Sequence, residues 1–361
     1  MGKDILLRFS SVAAVRTSSV SITFPVRPDL AFLDFTQTLL GPALALRRSG
    51  LAVHYFDGVR DPARIPGYRK VLLESCVGAV AVEPCFTARR IIYSESFSDA
   101  WWALQEGQQT DAPIVIEDPF AASIHPLQVD LRLEQLQPRL ETVDDLVVVD
   151  MSDLAVPLHP KFLELPGTKL KREIAPSAAT ELGITPYPFL YNPVLLTLDY
   201  AWGLDACTPD DRTPLRDGWF CGTIGHARYG GRRKSALQAI VARHPGARFA
   251  IHDGDVPTLE NLREVQRSRT VLHPPGRGTI CFRTHEALRF GVPMLVEQRP
   301  QIALPELLQA FFITELTDAE EASAAAVRCY QECYSPEAAG RLLQDHGHAP
   351  TYTYPFTEPR T

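Results

Sequence analysis

The sequence predicts an α/β protein built as two parallel-sheet halves, and three observations predict it. Apolar runs of strand length alternate with helical patterns along most of the chain. The alternation breaks once, over a Pro-rich stretch from Ser152 to about Arg216, and then restarts. The chain has 361 residues, about two domains at the usual ~150 residues each.

In the first half, Asp4 to Phe9 is a short apolar run suited to a buried strand. A Ser/Thr-rich loop follows, then a helical pattern from Phe35 to Arg48 that stops at Gly50, with Leu51 to Phe56 as the next strand. Val71 to Val82 fits a buried helix or a strand equally well. Arg90 to Tyr93 and Ala112 to Glu117 read as strands around a helical Ser98 to Gln108. Leu146 to Asp150 is the clearest buried strand, an apolar run between acids. The sheet implied is mostly parallel, so ligands are expected at the carboxyl ends of its strands.

The stretch from Ser152 reads as an irregular crossover, with prolines at 157, 160, 166, 176, 186, 188, 193, 209 and 214. After it, Trp219 to Cys221 is a strand ending in Gly222. Arg232 to His244 is an amphipathic helix with Ala236, Leu237, Ile240 and Val241 at helical spacing. Ala247 to His252 (strand), Thr258 to Ser268 (helix) and Arg269 to His273 (strand) continue the rhythm. A helix from Phe282 to Phe290, stopped by Gly291, leads into a strand from Pro293 to Glu297. This half reads as a Rossmann-like unit. The expected organisation is therefore a Rossmann-like domain over 1–165, a crossover over 166–215, a second Rossmann-like domain over 216–325, and a tail over 326–361. That last part of the chain, beyond about Pro305, is expected to supply helices such as Thr317 to Tyr334 and to return towards the first domain.

Composition excludes several classes of function. Hydrophobic residues are 45% and charged residues 22%, enough apolar material for real cores. The formal charge of -7 argues against sequence-independent nucleic-acid binding, which lives on clustered positive charge. No apolar run approaches the roughly 18 residues of a membrane span, and Met1 to Phe9 does not read as a signal peptide. A cytoplasmic protein is the expectation. Seven cysteines without a Cys-x-x-Cys pair fit reduced, structurally incidental thiols, and Cys329 with Cys333 completes no zinc site. The 30 prolines exceed the roughly 5% usual in proteins, but they punctuate loops without a repeat.

The segment richest in chemistry runs from His273 to Glu297: strand, Gly-containing loop, helix, Gly stop, strand. Gly276 and Gly278 allow a ligand close to the backbone. Thr279 is placed to cap the helix, whose free first-turn amides face an anion. Arg277 and Arg283 add positive charge for a diphosphate. Glu286, one turn beyond Arg283, can accept hydrogen bonds from ribose or sugar hydroxyls. An ordinary loop and helix with surface charges is the bland alternative. Asp253-Gly-Asp255 has metal-like spacing but sits in a turn after a strand, so no metal is expected.

The whole segment resembles the donor-binding end of GT-B glycosyltransferases, especially exostosin-like and related bacterial families. Leu272, Pro275, Gly276, Gly278, Arg283, Glu286, Ala287, Leu288, Gly291 and Pro293 match that pattern in order. The resemblance extends more weakly upstream. Val148 to Asp153 is similar to the family's strand-end Asp, Lys169 to Glu173 to its Lys-Arg crossover, and Pro186 to Phe189 to its Pro-Phe turn. Phe220 to Thr223, followed by Arg232-Arg233, is similar to the first strand and loop of its donor domain. About residues 145 to 300 are covered. One departure stands out: many retaining members carry a second Glu eight residues before the one at Glu286, and Gly278 stands there.

The resemblance implies a GT-B fold with two Rossmann-like domains facing a cleft, and a nucleotide-sugar donor held by the C-terminal half. The acceptor, a glycan or small molecule, falls to the N-terminal half. The missing second Glu favours an inverting transfer, for which GT-B folds require no metal. Donor-binding residues are then Gly222, Thr223, Lys171, Arg172, Arg232, Gly276, Arg277, Gly278, Thr279, Arg283 and Glu286. His226 is a further candidate beside the first loop, and Trp101-Trp102 offers one ring for an acceptor platform. An inverting transfer needs a base on an N-domain strand end. Asp118 is preferred, with Asp150 and Asp153 next, then Glu117 and Glu95, although each alone is more often a helix cap or loop acid. The alternatives are a non-catalytic nucleotide- or glycan-binding protein of the same fold, or a nucleotide-sugar epimerase or phosphorylase. A dehydrogenase is disfavoured, since no Gly-x-Gly-x-x-Gly follows the first strand.

Overall fold

The computed structural model describes residues 27–36, 38–58, 84–99, 126–153, 158–201, 214–225, 231–276 and 278–345. The expected elements at Asp4–Phe9, Val71–Val82 and Ala112–Glu117 lie outside them, as does nearly all of Ser98–Gln108.

Six parallel strands form the first sheet: β1 (Leu30–Asp34), β2 (Val53–Asp57), β3 (Arg90–Glu95), β4 (Leu146–Asp150), β5 (Thr168–Lys171) and β6 (Thr185–Pro186). Their order is β2-β1-β3-β4-β5-β6. Chain order reverses between β1 and β3, where such sheets open a crevice at their carboxyl ends. Helix α1 (Leu40–Arg48) and helix α2 (Pro126–Leu140) accompany it. The apolar runs are buried on both faces, as parallel strands require. Leu30, Phe32, Val147 and Val149 enter one core, while Ala31, Leu33, Leu146 and Val148 enter the other. Fully burying each of the larger side chains contributes roughly 1.5–3 kcal/mol.

The helix expected from Phe35 begins only at Leu40. Asp34 explains the delay: its carboxylate accepts the amides of Thr36 at 3.0 Å and Leu39 at 2.9 Å, which fixes a turn there.

The Pro-rich stretch is more regular than expected. It holds α3 (Pro160–Glu164), β5, α4 (Pro176–Leu182), β6 and α5 (Pro193–Leu196), followed by a π turn over Thr197–Ala201. Pro160, Pro176 and Pro193 each open a helix, where a missing N–H costs nothing. Pro186 lies in the short edge strand β6, a position open to proline. The first sheet therefore runs past residue 165, and the prolines start short elements instead of dissolving them.

The second sheet has five parallel strands: β7 (Arg216–Gly222), β8 (Phe249–Asp253), β9 (Ser268–Leu272), β10 (Met294–Leu295) and β11 (Phe312–Ile313), in the order β11-β10-β9-β7-β8. The reversal falls between β7 and β9. Helices α6 (Arg232–Arg243), α7 (Thr258–Gln266), α8 (Phe282–Arg289) and α9 (Glu306–Ala310) surround it. In α6 the buried positions are Arg233, Ala236, Leu237 and Ile240; Val241, expected on that face, is 39% exposed. Strand β10 is shorter than the expected Pro293–Glu297. The expected helix over Thr317–Tyr334 is a 3-10 turn, α10 (Ala319–Cys329) and a second π turn over Tyr330–Tyr334. Cys329 and Cys333 sit there with their sulfurs 3.3 Å apart.

Helix α11 (Pro336–Asp345) packs on α1 of the first half, and Arg90 Nη1 donates to the Leu343 carbonyl at 3.1 Å. Gly340 permits this contact, since a Cβ there would stand 3.0 Å from Leu46 and 3.2 Å from the Pro42 carbonyl. An aromatic chain joins the halves: Tyr187 to Phe189 (centroids 4.7 Å apart), Phe189 to Tyr334 (5.5 Å), and Tyr191 to both Tyr334 (5.7 Å) and His285 (5.0 Å).

Candidate functional site

The site is built where β7 and β9 part. Strand β7 ends in Gly222, whose φ of 145 lies where L side chains rarely go. Two arginines close on the loops beyond. Arg233, in the first turn of α6, donates from Nη1 to the Thr223 carbonyl at 2.6 Å, and its Nη2 would stand 3.5 Å from a Cβ on Gly276. Arg283, in the first turn of α8, donates to the Cys221 carbonyl at 2.9 Å and lies over the Phe220 ring, 4.9 Å from its centroid. Backbone carbonyls thus fix two guanidiniums beside one pair of loops, the arrangement that recognises phosphate.

Arg232, expected to bind the donor, points outward and is exposed. Adjacent helical residues point about 100° apart, so one arginine of the pair faces the loop, and it is Arg233. The sequence held the signal: Arg233 shares the 3.6-residue face of Ala236, Leu237 and Ile240. Arg277 lies outside the described residues.

Thr279 does not cap α8. Cys281 is the N-cap, and its amide donates to Thr284 Oγ1 at 3.2 Å. Thr279 instead offers its carbonyl to His273 Nε2 at 2.9 Å. A carbonyl only accepts, so Nε2 carries the hydrogen. Burial, with Arg283 nearby, lowers the His273 pKa to about 3 and keeps the ring neutral. Its Nδ1 is a buried acceptor with no hydrogen-bond partner among the described residues.

Glu286 is buried between two carboxamides. Asn192 Nδ2 donates to Oε1 at 2.5 Å and Asn261 Nδ2 to Oε2 at 3.0 Å. Trp219 Nε1 in turn holds Asn261 Oδ1 at 2.9 Å. Burial raises the Glu286 pKa, opposed by Asn192, Arg283 and Asn261. Asn192 also caps α5 through Oδ1 and donates its own amide to His285 Nδ1 at 2.8 Å. Sequence reasoning missed both asparagines. The Asn192-Pro193 pair is a readable cap signature, whereas nothing local marks Asn261.

The first half meets this edge with charges already paired. Asp150 is fully buried and accepts from Lys171 Nζ at 2.9 Å, Ser98 Oγ at 2.5 Å, the Ser152 amide at 3.0 Å and the Ser152 hydroxyl. Burial alone would raise its pKa; Lys171 and the serines more than offset that and hold it below the usual carboxylate value. A carboxylate so occupied is not free to take an acceptor's proton. Asp153 forms an ion pair with Arg172. Lys171 and Arg172, expected to hold phosphates, instead neutralise Asp150 and Asp153. Glu95 is paired with Arg132 at 2.7 Å. Asp118, Glu117, His226, Trp101 and Trp102 lie outside the described residues.

Glu173, just past β5, reaches into the second half. Its Oε1 accepts from the Ile280 amide at 2.6 Å, and the Thr279 amide lies near enough to act on the carboxyl's charge. Burial lifts its pKa to about 7 against the pull of Arg172, those amides and Lys171. Gly278 is the residue that permits this approach: a Cβ there would lie 2.9 Å from Glu173 Oε1 and 3.0 Å from the Asp153 carbonyl.

Asp253 Oδ1 accepts from the Ile224 amide at 2.8 Å and so organises the β7 loop. Among the described residues no group of three or more His, Cys, Asp or Glu is arranged to hold a metal ion, and no helix is long and apolar enough to cross a membrane. A surface depression lined by Asp217, Arg243 and His244 lies away from this site and holds none of the candidate residues.

Fold and site together define a protein of two parallel α/β sheets, joined where segments beyond β4 and β5 meet the segment beyond β9. The second half presents two guanidiniums, Arg233 and Arg283, held by backbone carbonyls at the end of β7. No family model matches the chain, and no curated protein matches it. Fifteen chains of solved structures do match. One is the T4 phage BGT D100A mutant in complex with UDP-glucose, at 9% identity over 88% of this chain and 95% of that one, with a TM-score of 0.36. S. aureus MnaA in its UDP co-structure gives 12% identity, 88% and 94% coverage, and a TM-score of 0.37. The glycosyltransferase SnogD from Streptomyces nogalater gives 13%, 88% and 99%, with 0.32. These are likenesses of overall shape; the activity has to come from the chain's own residues.

Proposed function

We propose that this chain is a GT-B glycosyltransferase that moves a sugar from a nucleotide-activated donor to an acceptor hydroxyl. The observation that carries the reading is that Arg233 and Arg283 are both fixed at the β7/β9 reversal, with Glu286 one turn further along α8 from Arg283. In this reading the two guanidiniums neutralise the diphosphate, both as it binds and as it leaves the anomeric carbon. Gly222, Gly276 and Gly278 let it approach the backbone. Glu286, oriented by Asn192 and Asn261, accepts from the ribose hydroxyls. With Gly278 where a second Glu would stand, the transfer is inverting, and the arginines do the work a metal would otherwise do. The acceptor's proton goes to an acid of the first half. Asp118 is the remaining preferred candidate, since Asp150 and Asp153 are engaged by cations.

Thermal shift with UDP, GDP, ADP and dTDP tests the pocket, because a ligand of the native state raises the melting temperature by mass action. One nucleotide should stabilise the chain, and Arg283→Ala should reduce the shift at the same nucleotide concentration. With the matching nucleotide-sugar, NMR of the product anomer tests inversion, and EDTA should leave the rate unchanged. No shift with any nucleotide would remove the reading.

The locked state of Asp150 and Asp153 favours one other reading, a nucleotide-binding protein of the same fold without transferase activity. Asp118→Asn separates the two. Loss of turnover with nucleotide binding intact supports the enzyme, whereas nucleotide binding with no turnover of any sugar donor supports the binding protein. Nucleotide release without an acceptor would point to the epimerase alternative.

A further inference from the structure

Glu173 belongs to the first half, yet the second half holds its carboxyl. The Ile280 amide that bonds it, with the Thr279 amide beside it, lies just before the N-cap of α8. The same loop begins at Gly276, beside Arg233, and Gly278 opens the space the carboxyl enters. A carboxylate is an anion with two acceptor oxygens, which is what loop amides at a helix N-terminus attract. An N–H group already bonded to one anion, as that of Ile280 is, is not free to serve another.

We propose that Glu173 is an internal occupant of the donor's phosphate site: it rests on the loop amides while the cleft is empty and must leave when a phosphate binds. The inference builds on the nucleotide-sugar reading and adds a competition that ligand has to win. The amides and nearby cations offset part, and only part, of the burial that raises its pKa. Ala303 N–H donates to the Ile174 carbonyl at 2.8 Å, so the residue next to Glu173 is itself tied to the second half. Displacing Glu173 therefore loosens that contact between halves.

The competition has a sign with pH. Among the described residues, the charged groups facing Glu173 are Arg172 and Lys171 on its own segment, and Asp153 beyond β4, with Asp150 behind it on Lys171. From the second half come the two amides, backed by the neutral ring of His273 through the Thr279 carbonyl. As pH falls through about 7, Glu173 takes a proton, and a neutral carboxyl holds the amides less well than a charged one. Phosphate then meets a weaker competitor.

The test is isothermal titration of the full chain with UDP, GDP, ADP, dTDP and inorganic pyrophosphate, at pH 8 and pH 6. Glu173→Gln keeps the shape and removes the charge; Glu173→Asp keeps the charge but falls short of the amides. Both variants should bind the anion about tenfold tighter than the parent chain at pH 8, the scale of one charge-assisted hydrogen bond. The Glu173→Gln advantage should shrink at pH 6. Binding by the variants alone would be the extreme form of the same result. Variant affinities equal to or below the parent's at both pH values would overturn the inference and leave the nucleotide reading intact. No binding of any probe to any of the three proteins would overturn both. Should Glu173→Gln fail to fold by circular dichroism, Glu173→Asp decides.

Discussion

Replacing Asp150 with Asn separates a structural carboxylate from a catalytic one. In the native chain Asp150 and Lys171 are both fully buried and lie 2.9 Å apart. Removing one charge strands the other in the sheet, which typically costs about 3–5 kcal/mol, whereas replacing both is close to neutral. At about 2 °C per kcal/mol in a large chain, Asp150→Asn and Lys171→Met should each melt roughly 6–10 °C lower. The double variant should recover most of that loss, a coupling that a double-mutant cycle reads directly. The pair also has a pH signature. The native Asp150 pKa is depressed, so its stabilisation is present above the unfolded value of about 3.9 and fades as pH falls towards the native one. Lys171→Met should lose that acid-side slope. The assay is thermal unfolding of the four proteins between pH 3 and 8. Single variants that melt within 1 °C of the parent, or a double variant as damaged as the sum, would refute the reasoning and return Asp150 to the list of candidate bases.

Three further predictions follow from the site. Arg233→Ala and Arg283→Ala should each weaken nucleoside diphosphate binding about 10- to 100-fold, the range for a hydrogen bond to a charged group, while the exposed Arg232→Ala leaves calorimetric affinity unchanged. Gly278→Ala should lower stability by about 1–3 kcal/mol in urea melts, because its Cβ meets the Glu173 carboxyl and the Asp153 carbonyl together. Glu173 should make the protein less stable as pH rises: with a native pKa of about 7 against about 4.3 unfolded, the native state binds more protons across that window. Its contribution is complete below about pH 4, is lost by about pH 7 and totals on the order of 3 kcal/mol. His273 and His285, whose native pKa values are about 3, act in the opposite sense over part of the same range. The difference between parent and Glu173→Gln isolates the Glu173 share, and an identical pH slope in the two would count against its buried, raised state.

What the sequence determined by itself is what local pattern carries. Alternating strand and helix signals fixed the class and most elements of the second half, from the β7 run through the helix stopped by Gly291, because each period-2 or 3.6 pattern reports its own burial. The Gly276-to-Glu286 loop and helix were equally legible, since glycine spacing and a polar helix face are local facts. Tertiary structure decided the rest, and the reason is pairing. Lys171, Arg172, Asp150 and Asp153 look like a cationic clamp and two free acids until adjacent parallel strands set β4 beside β5 and each charge finds its opposite. The prolines from 160 to 193 look irregular until three of them are seen to start helices. Glu173 reads as one more charge in a Lys-Arg run; only the packing of one half on the other seats it on the Ile280 amide, more than 100 residues away in the chain.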